Sequence, residues 1–132
     1  MFNQGVQQQQ TLRESVRMSG TGLHGGSRVN MTFAPAPPNT GIRFRRVDLD
    51  GRPEIEARID HVVDTSRSTT LGKGAVRVHT VEHVLAAFNG LGVDNAVIEL
   101  DAAEPPIADG SAREFGRMIE SVGSVTQGRS RE

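Results

Sequence analysis

Alternating apolar and polar positions dominate the first part of the chain and predict a β-sheet. The clearest case is residues 28–33, where Val29, Met31 and Phe33 face one way and the polar side chains between them face the other. Shorter runs with the same period lie at residues 12–18, 42–44 and 55–59, and residues 75–78 and 95–100 are predicted as further strands. The glycine-rich segment 20–26 is typical of a loop that closes an antiparallel hairpin.

The period changes after Thr80, where a helix is predicted. Apolar residues then stand at the i, i+3, i+4 and i+7 positions, namely Val81, Val84, Leu85 and Phe88. Thr80 is the expected N-terminal cap, and Gly90 or Gly92 is the expected end. A second helix is predicted after residue 106, with Asp109 or Ser111 as its cap. Its apolar stripe, which Met118 flanks, is Ala112, Phe115, Ile119 and Val122.

Because the strands come first and the helices late, the pattern predicts the α+β class. We expect a two-layer domain in which a mostly antiparallel sheet of about five strands carries two helices on one face. Residues 1–10 include five glutamines and are expected to be a disordered lead. Residues 11–123 form the predicted domain, and residues 124–132, which are charged without periodicity, are expected to begin a linker.

Composition excludes several classes of protein. The 132 residues carry 15 basic and 16 acidic side chains, a balance that argues against a nucleic-acid partner or a polybasic membrane patch. The absence of cysteine excludes disulfides and thiolate nucleophiles and is compatible with the cytosol. No apolar run approaches the ~18 residues of a transmembrane segment, and residues 1–10 lack the parts of a signal peptide. We therefore expect a cytoplasmic protein with no transmembrane segment.

Glu82 and His83 are the strongest candidates for chemistry. The helical period places them at the start of the predicted helix, on its flank rather than on its apolar face. An imidazole that holds zinc and a carboxylate that accepts a proton from water are a common pairing in zinc hydrolases. The plainer alternative is that Glu82 is an ordinary acidic residue of a first helical turn and His83 an ordinary surface or core histidine.

Residues 79–83 also match H-x-x-E-H, the signature of a class of zinc peptidases. That motif needs both histidines one turn apart within a helix, whereas His79 is predicted to precede the helix. The peptidase therefore stays an alternative that would require His79 as a ligand, with an acidic residue such as Glu104, Glu114 or Glu120 as the third.

Three further segments are weaker candidates. The glycine-rich turn around His24 could present backbone N–H groups to an anion, although a simple hairpin explains its glycines equally well. Residues 64–70 place five hydroxyl side chains around one arginine and could line a polar substrate rim. Asp109-Gly-Ser111 is most simply a turn followed by a helix cap.

Taken together, these segments resemble a known family. The motifs, in chain order, are Gly22-Leu-His24; Pro35-Ala-Pro37 with Asn39-Thr-Gly-Ile42; Thr80-Val-Glu-His83 with Gly90-Leu-Gly-Val-Asp-Asn95; and Pro106-Ile-Ala-Asp-Gly-Ser111. Their order and spacing are similar to the N-terminal half of UDP-3-O-acyl-N-acetylglucosamine deacetylase, the zinc amidase that commits Gram-negative bacteria to lipid A synthesis. The resemblance runs from about residue 11 to about residue 123.

The resemblance implies a role for each matching residue. His83 would be the one Zn²⁺ ligand that this half supplies, and Glu82 the general base. His24 and Asp109 would support the site near the domain junction. The substrate would be UDP-3-O-acyl-N-acetylglucosamine, and its rim would be formed by Thr65, Ser66, Arg67, Ser68 and Thr69.

The resemblance also implies what this sequence does not supply. In the family, the second domain provides the other zinc ligands, a His and an Asp, and the histidine acid that protonates the leaving amine. Because a catalytic zinc takes three protein ligands, we expect this chain to be inactive unless a second domain joins it in cis or in trans. A non-catalytic binding or regulatory module with the same fold is the alternative from another class.

Overall fold

The computed structural model describes residues 7–22, 26–106 and 112–131. Within these ranges the chain forms ten strands, two α-helices and one short 3-10 helix, Ile59–His61. The α-helices are α1 (Glu82–Gly90) and α2 (Arg113–Val122). The strands are β1 (Gln8–Leu12), β2 (Val16–Thr21), β3 (Arg28–Pro35), β4 (Ile42–Arg46), β5 (Glu54–Glu56), β6 (Val62–Asp64), β7 (Thr70–Lys73), β8 (Val76–Val78), β9 (Ala96–Leu100) and β10 (Ser124–Ser130).

A five-stranded sheet with the order β2-β3-β9-β4-β5 forms the centre of the fold. Its neighbouring strands run antiparallel, except that β4 and β9 are parallel. A parallel pair needs a crossover connection, and here the intervening chain includes α1. The predicted α+β class and the sheet of about five strands are confirmed.

Both helices pack on one face of this sheet. The ring of Phe33 on β3 contacts Phe88 of α1 edge to face, with 4.8 Å between ring centroids. The same ring meets Phe115 of α2 at 6.4 Å. One side chain of the sheet therefore touches both helices, as a two-layer arrangement requires. The apolar stripe of α2 is confirmed by the burial of Phe115, Met118 and Ile119.

The opposite face of the sheet carries charge. Arg45 on β4 donates to Glu54 on β5 and to Glu99 on β9, and Arg43 donates to Glu56. These pairs are cross-strand neighbours on the exposed side of the pleat. The sheet therefore has one apolar and one solvated face, which is the origin of the alternation in the sequence.

A smaller sheet, which we call the rim sheet, has the order β6-β7-β8. It is linked to the five-stranded sheet by the buried side chain of Arg46, at the end of β4. The guanidinium donates to both carboxylate oxygens of Asp48, at 2.9 and 2.7 Å, and to the backbone carbonyl of Arg77 on β8, at 2.8 Å. The Arg46 hydrogen bond also holds the pKa of Asp48 below its usual value.

The two ends of the chain differ from the prediction. Gln8–Gln10 were expected in a disordered lead and residues 124–132 in a linker, but β1 and β10 pair as an antiparallel ribbon. Backbone pairing and the burial of Leu12 hold this ribbon, whose other residues are mostly polar, which explains why hydrophobic periodicity did not reveal it. Polar side chains add to it, since the buried Asn95 donates to both Gln9 and Gln127.

Two local predictions were also wrong. Thr80 does not cap α1: the helix begins at Glu82 without a side-chain cap, and Thr80 has a left-handed backbone. Ile59 was expected to lie on the same face of a strand as Ile55, but it belongs to the 3-10 helix and is 91% exposed. Among the described residues, no helix is both long and apolar enough to span a membrane.

Candidate active site

Glu82 and His83 are the first two residues of α1. The buried face of the helix consists of Val84, Ala87 and Phe88, which contact the core. Glu82 and His83 lie on the flank of that face and are both half-buried. The predicted position of the pair at a helix start is therefore confirmed, and neither side chain is enclosed in the core.

The carboxylate of Glu82 has a defined orientation. The backbone N–H of Thr69 donates to its Oε1 at 3.2 Å. A second hydrogen bond joins the same two segments: the N–H of Val81 donates to the carbonyl of Thr69, also at 3.2 Å. The segment before the helix is thus attached to the loop that precedes β7, and this attachment directs Glu82 toward that loop.

The imidazole of His83 has no hydrogen bond or ion pair in the part of the chain that the structure describes. Its ring nitrogens are therefore free to bind a ligand, as a metal-binding histidine requires. Within residues 7–22, 26–106 and 112–131, no group of three or more His, Asp or Glu side chains could hold a metal ion. The donor set thus fits one ligand of a zinc site and does not complete it.

Residues 65–69, here called the rim loop, connect β6 to β7 and border a cleft of about 360 Å³. The residues that line the cleft are Asp64, Ser66, Arg67, Ser68, Thr70 and His79. Of the predicted rim residues, Ser66, Arg67 and Ser68 line it, Thr69 contacts Glu82, and Thr65 is exposed within the loop. All six residues that line the cleft carry polar or charged side chains, which could contact a hydrophilic ligand.

The loop begins with a local turn. The backbone N–H of Ser66 donates to Oδ1 of Asp64 at 2.9 Å. This hydrogen bond is the main cause of the lowered pKa of the Asp64 carboxyl group. An Asx turn of this kind fixes the path of the chain where the rim loop leaves β6.

His79 also lines the cleft, but it stands outside the helix. Its backbone N–H donates to the carbonyl of Ala103 at 2.7 Å, and its Nδ1 shares a hydrogen bond with the Thr70 hydroxyl at 3.1 Å. His79 and His83 are therefore not one turn apart on a helix, as the H-x-x-E-H motif requires. This geometry disfavours the peptidase alternative.

Two predicted supporting residues, His24 and Asp109, lie outside the described residues, as does the alternative cap Ser111. Thr70 lies within the segment 64–70 that was predicted as a polar rim, whereas His79 was not predicted to line the cleft and Thr80 was predicted as an ordinary cap. The proximity of His79 to Thr70 follows from the pairing of β7 with β8, in which Leu71 lies opposite Val78. That register could have revealed the contact.

Comparison with known proteins shows relatives over most of the chain. The family model described as UDP-3-O-acyl N-acetylglycosamine deacetylase matches residues 9–132. The UDP-3-O-acyl-N-acetylglucosamine deacetylases of Methylococcus capsulatus and Nitrosococcus oceani are each 54% identical to this chain over 119 residues, covering 90% of it. The bifunctional enzyme LpxC/FabZ of Chlorobaculum tepidum is 51% identical over 119 residues, also 90% of this chain.

The match covers only part of each relative. It spans 39% of the Methylococcus capsulatus and Nitrosococcus oceani proteins and 26% of the bifunctional enzyme. A family model that matches nearly the whole of this chain nevertheless identifies its family. The chain belongs to the UDP-3-O-acyl N-acetylglycosamine deacetylase family.

Proposed function

We propose that this chain supplies the general base and one metal ligand of a zinc-dependent amidase. The reaction is hydrolysis of the N-acetyl group of UDP-3-O-acyl-N-acetylglucosamine, a step of lipid A biosynthesis, with release of acetate. The observation that carries the proposal is the arrangement at the start of α1. There, the Glu82 carboxylate is held by the Thr69 N–H, and the adjacent His83 ring has no partner among the described residues.

His83 is the residue of this chain that would hold zinc. Its half-buried imidazole suits the metal, and two further protein ligands would come from the remainder of a longer protein. When bound, zinc would lower the pKa of a water molecule towards ~7 and polarise the amide carbonyl.

Glu82 acts as the base in this proposal. One carboxylate oxygen accepts the Thr69 N–H, which leaves the other oxygen for a water molecule. As the oxygen of that water attacks the acetyl carbon, Glu82 accepts its proton. The C–N bond then breaks as the leaving amine takes up a proton from an acid that the other part of the enzyme would supply, and acetate leaves. The adjacent cleft, with its hydroxyl side chains and Arg67, accommodates polar parts of the substrate.

The remainder of the enzyme is part of the proposal. Since the chain spans 39% of two deacetylase relatives, we infer that activity requires the other part of such a protein. We define the completed enzyme as residues 1–132 fused to the C-terminal part of the Methylococcus capsulatus relative that lies outside the match. Residues 1–132 alone are expected to be inactive.

The test compares two histidines in the completed enzyme. His83→Ala should abolish both zinc content, measured by elemental analysis, and acetate release, because a metal ligand is lost. His79→Ala is the matched control and should keep its zinc, because its ring contacts Thr70 instead. Loss of zinc in His79→Ala as well as in His83→Ala would favour the peptidase, which needs both histidines as ligands. A completed enzyme with neither zinc nor activity would favour a non-catalytic module.

A further inference from the structure

Thr80 has a backbone conformation that its side chain disfavours. Its φ is +57°, in the left-handed region that β-branched residues rarely adopt. Among the described residues other than glycine, only Asn39 and Arg52 also have positive φ, and both lie in turns or loops of the five-stranded sheet region. Residues held in this way occur often at functional sites, where surrounding contacts fix them.

The neighbouring peptide groups fix this conformation from both sides. Before Thr80, the N–H of His79 donates to the Ala103 carbonyl at 2.7 Å. After it, the N–H of Val81 donates to the Thr69 carbonyl at 3.2 Å. The hydrogen bonds on the two sides of Thr80 therefore go to different segments, and the chain changes direction at this residue. The helix α1 begins two residues later, at Glu82.

The hydroxyl of Thr80 supplies a further contact. Its Oγ1 donates to Oγ of Ser68 in the rim loop at 3.3 Å. Ser68 adjoins Thr69, whose N–H donates to the Glu82 carboxylate at 3.2 Å. A continuous set of contacts therefore runs from Thr80 through the rim loop to Glu82.

We propose that Thr80 is a positioning residue for Glu82, with its left-handed backbone turning β8 into α1 and its hydroxyl holding the rim loop against the carboxylate. The proposal rests on the proposed role of Glu82 as base. Glycine would adopt this φ without steric cost, so backbone stability alone gives no reason for threonine. The contact to Ser68 does give one, since glycine has no side chain that could make it.

The experiment uses three variants of Thr80 in the completed enzyme. Thr80→Ser keeps the hydroxyl and should retain kcat within about twofold. Thr80→Val keeps the shape without the hydroxyl and should lower kcat by ~10-fold with little change in KM or zinc content, because the base is less well oriented. Thr80→Gly relieves the backbone and should raise Tm by about 1–3 °C while also lowering kcat by ~10-fold.

Two controls separate positioning from general stability. Arg52→Gly relieves a φ of +46° far from Glu82 in the sequence and should raise Tm without changing kcat. Ser68→Ala should lower kcat like Thr80→Val, and the two together should cost no more than either alone.

An unchanged kcat in Thr80→Gly would overturn the proposal, even if Thr80→Val failed to fold. The role of Glu82 is tested separately by Glu82→Gln. Full activity in Glu82→Gln would contradict the proposed function, whereas its inactivity beside a fully active Thr80→Gly would contradict only the role of Thr80.

Discussion

In the five-stranded sheet, many inward-facing side chains are enclosed, whereas the smaller rim sheet adds Leu71 and Val78 to the core and leaves much of β6 exposed. Phe33, Phe44 and Ile98 are fully buried between the sheet and the helices. The strands of the rim sheet have only three or four residues, and Val63 on β6 is 51% exposed. The rim region is therefore held by a few buried side chains, by backbone hydrogen bonds and by the Arg46 side chain.

The five-stranded sheet thus stabilises the fold, whereas the rim region carries the candidate chemistry. A polar cleft cannot be stabilised by burying apolar area, since its side chains must stay available to a ligand. The chain instead fixes Glu82 through Thr69 and accepts an unfavourable backbone at Thr80. Substitutions in the sheet should therefore change stability first, and substitutions at the rim should change catalysis first.

The largest expected effect on stability is that of Phe33→Ala. This change removes a fully buried ring that contacts both Phe88 and Phe115 and leaves a cavity between the layers. We expect the free energy of unfolding to fall by ~3–5 kcal/mol, measured by urea denaturation of the chain. Val125→Ala, at a side chain 37% exposed on β10, is the control and should cost much less. A loss below about 1 kcal/mol in Phe33→Ala would contradict the assignment of Phe33 to the centre of the core.

An opposite pattern is expected for Arg67→Ala in the rim loop. The Arg67 guanidinium lines the cleft and has no partner among the described residues, so its removal should leave the free energy of unfolding within about 0.5 kcal/mol. In the completed enzyme, KM for the diphosphate-containing substrate should rise ~10-fold at nearly constant kcat, because a favourable charge interaction is lost. Arg129→Ala on the exposed strand β10 should change neither quantity. An unchanged KM in Arg67→Ala would remove Arg67 from the substrate rim.

The smallest effect is expected at the link between the two regions. Arg46 holds the pKa of Asp48 below its usual value of 3.8, so the Asp48 carboxylate stabilises the fold above that pH. This contribution should disappear as the pH falls through the lower pKa of the folded state. Asp48→Asn should therefore cost at most about 1 kcal/mol at pH 7 and progressively less in acid.

Urea denaturation at a series of pH values measures this dependence. Asp50→Asn, in the same turn, is the control and should show no such difference. A cost of Asp48→Asn that stayed constant into strong acid would contradict the role assigned to the ion pair.

The sequence predicts the sheet and both helices because apolar and polar residues recur along these segments with the period of a strand or of a helix. Val29, Met31 and Phe33 on β3 are all buried, and α1 begins at the predicted pair Glu82 and His83. In such segments local pattern and tertiary packing agree, so hydrophobicity alone places the strand faces and the start of the helix.

The sequence predicts less where backbone contacts replace apolar burial. The ribbon of β1 and β10 joins segments more than a hundred residues apart through polar strands, which periodicity cannot identify. Thr80 was expected to be a cap because threonine is common there. Its left-handed backbone depends on hydrogen bonds to Ala103 and Thr69, which only the folded chain brings together.

The central claim is that the carboxylate beside His83 is the base of an amidase, and Glu82→Gln in the completed enzyme tests it most directly. The substitution keeps the shape of the side chain and an oxygen that can accept the Thr69 N–H, but it removes the ability to take a proton. We predict unchanged zinc content and a fall in kcat for acetate release of ~10²–10⁴-fold, with full activity in the exposed control Glu14→Gln. Acetate release by Glu82→Gln at the rate of the unmodified enzyme would contradict the account.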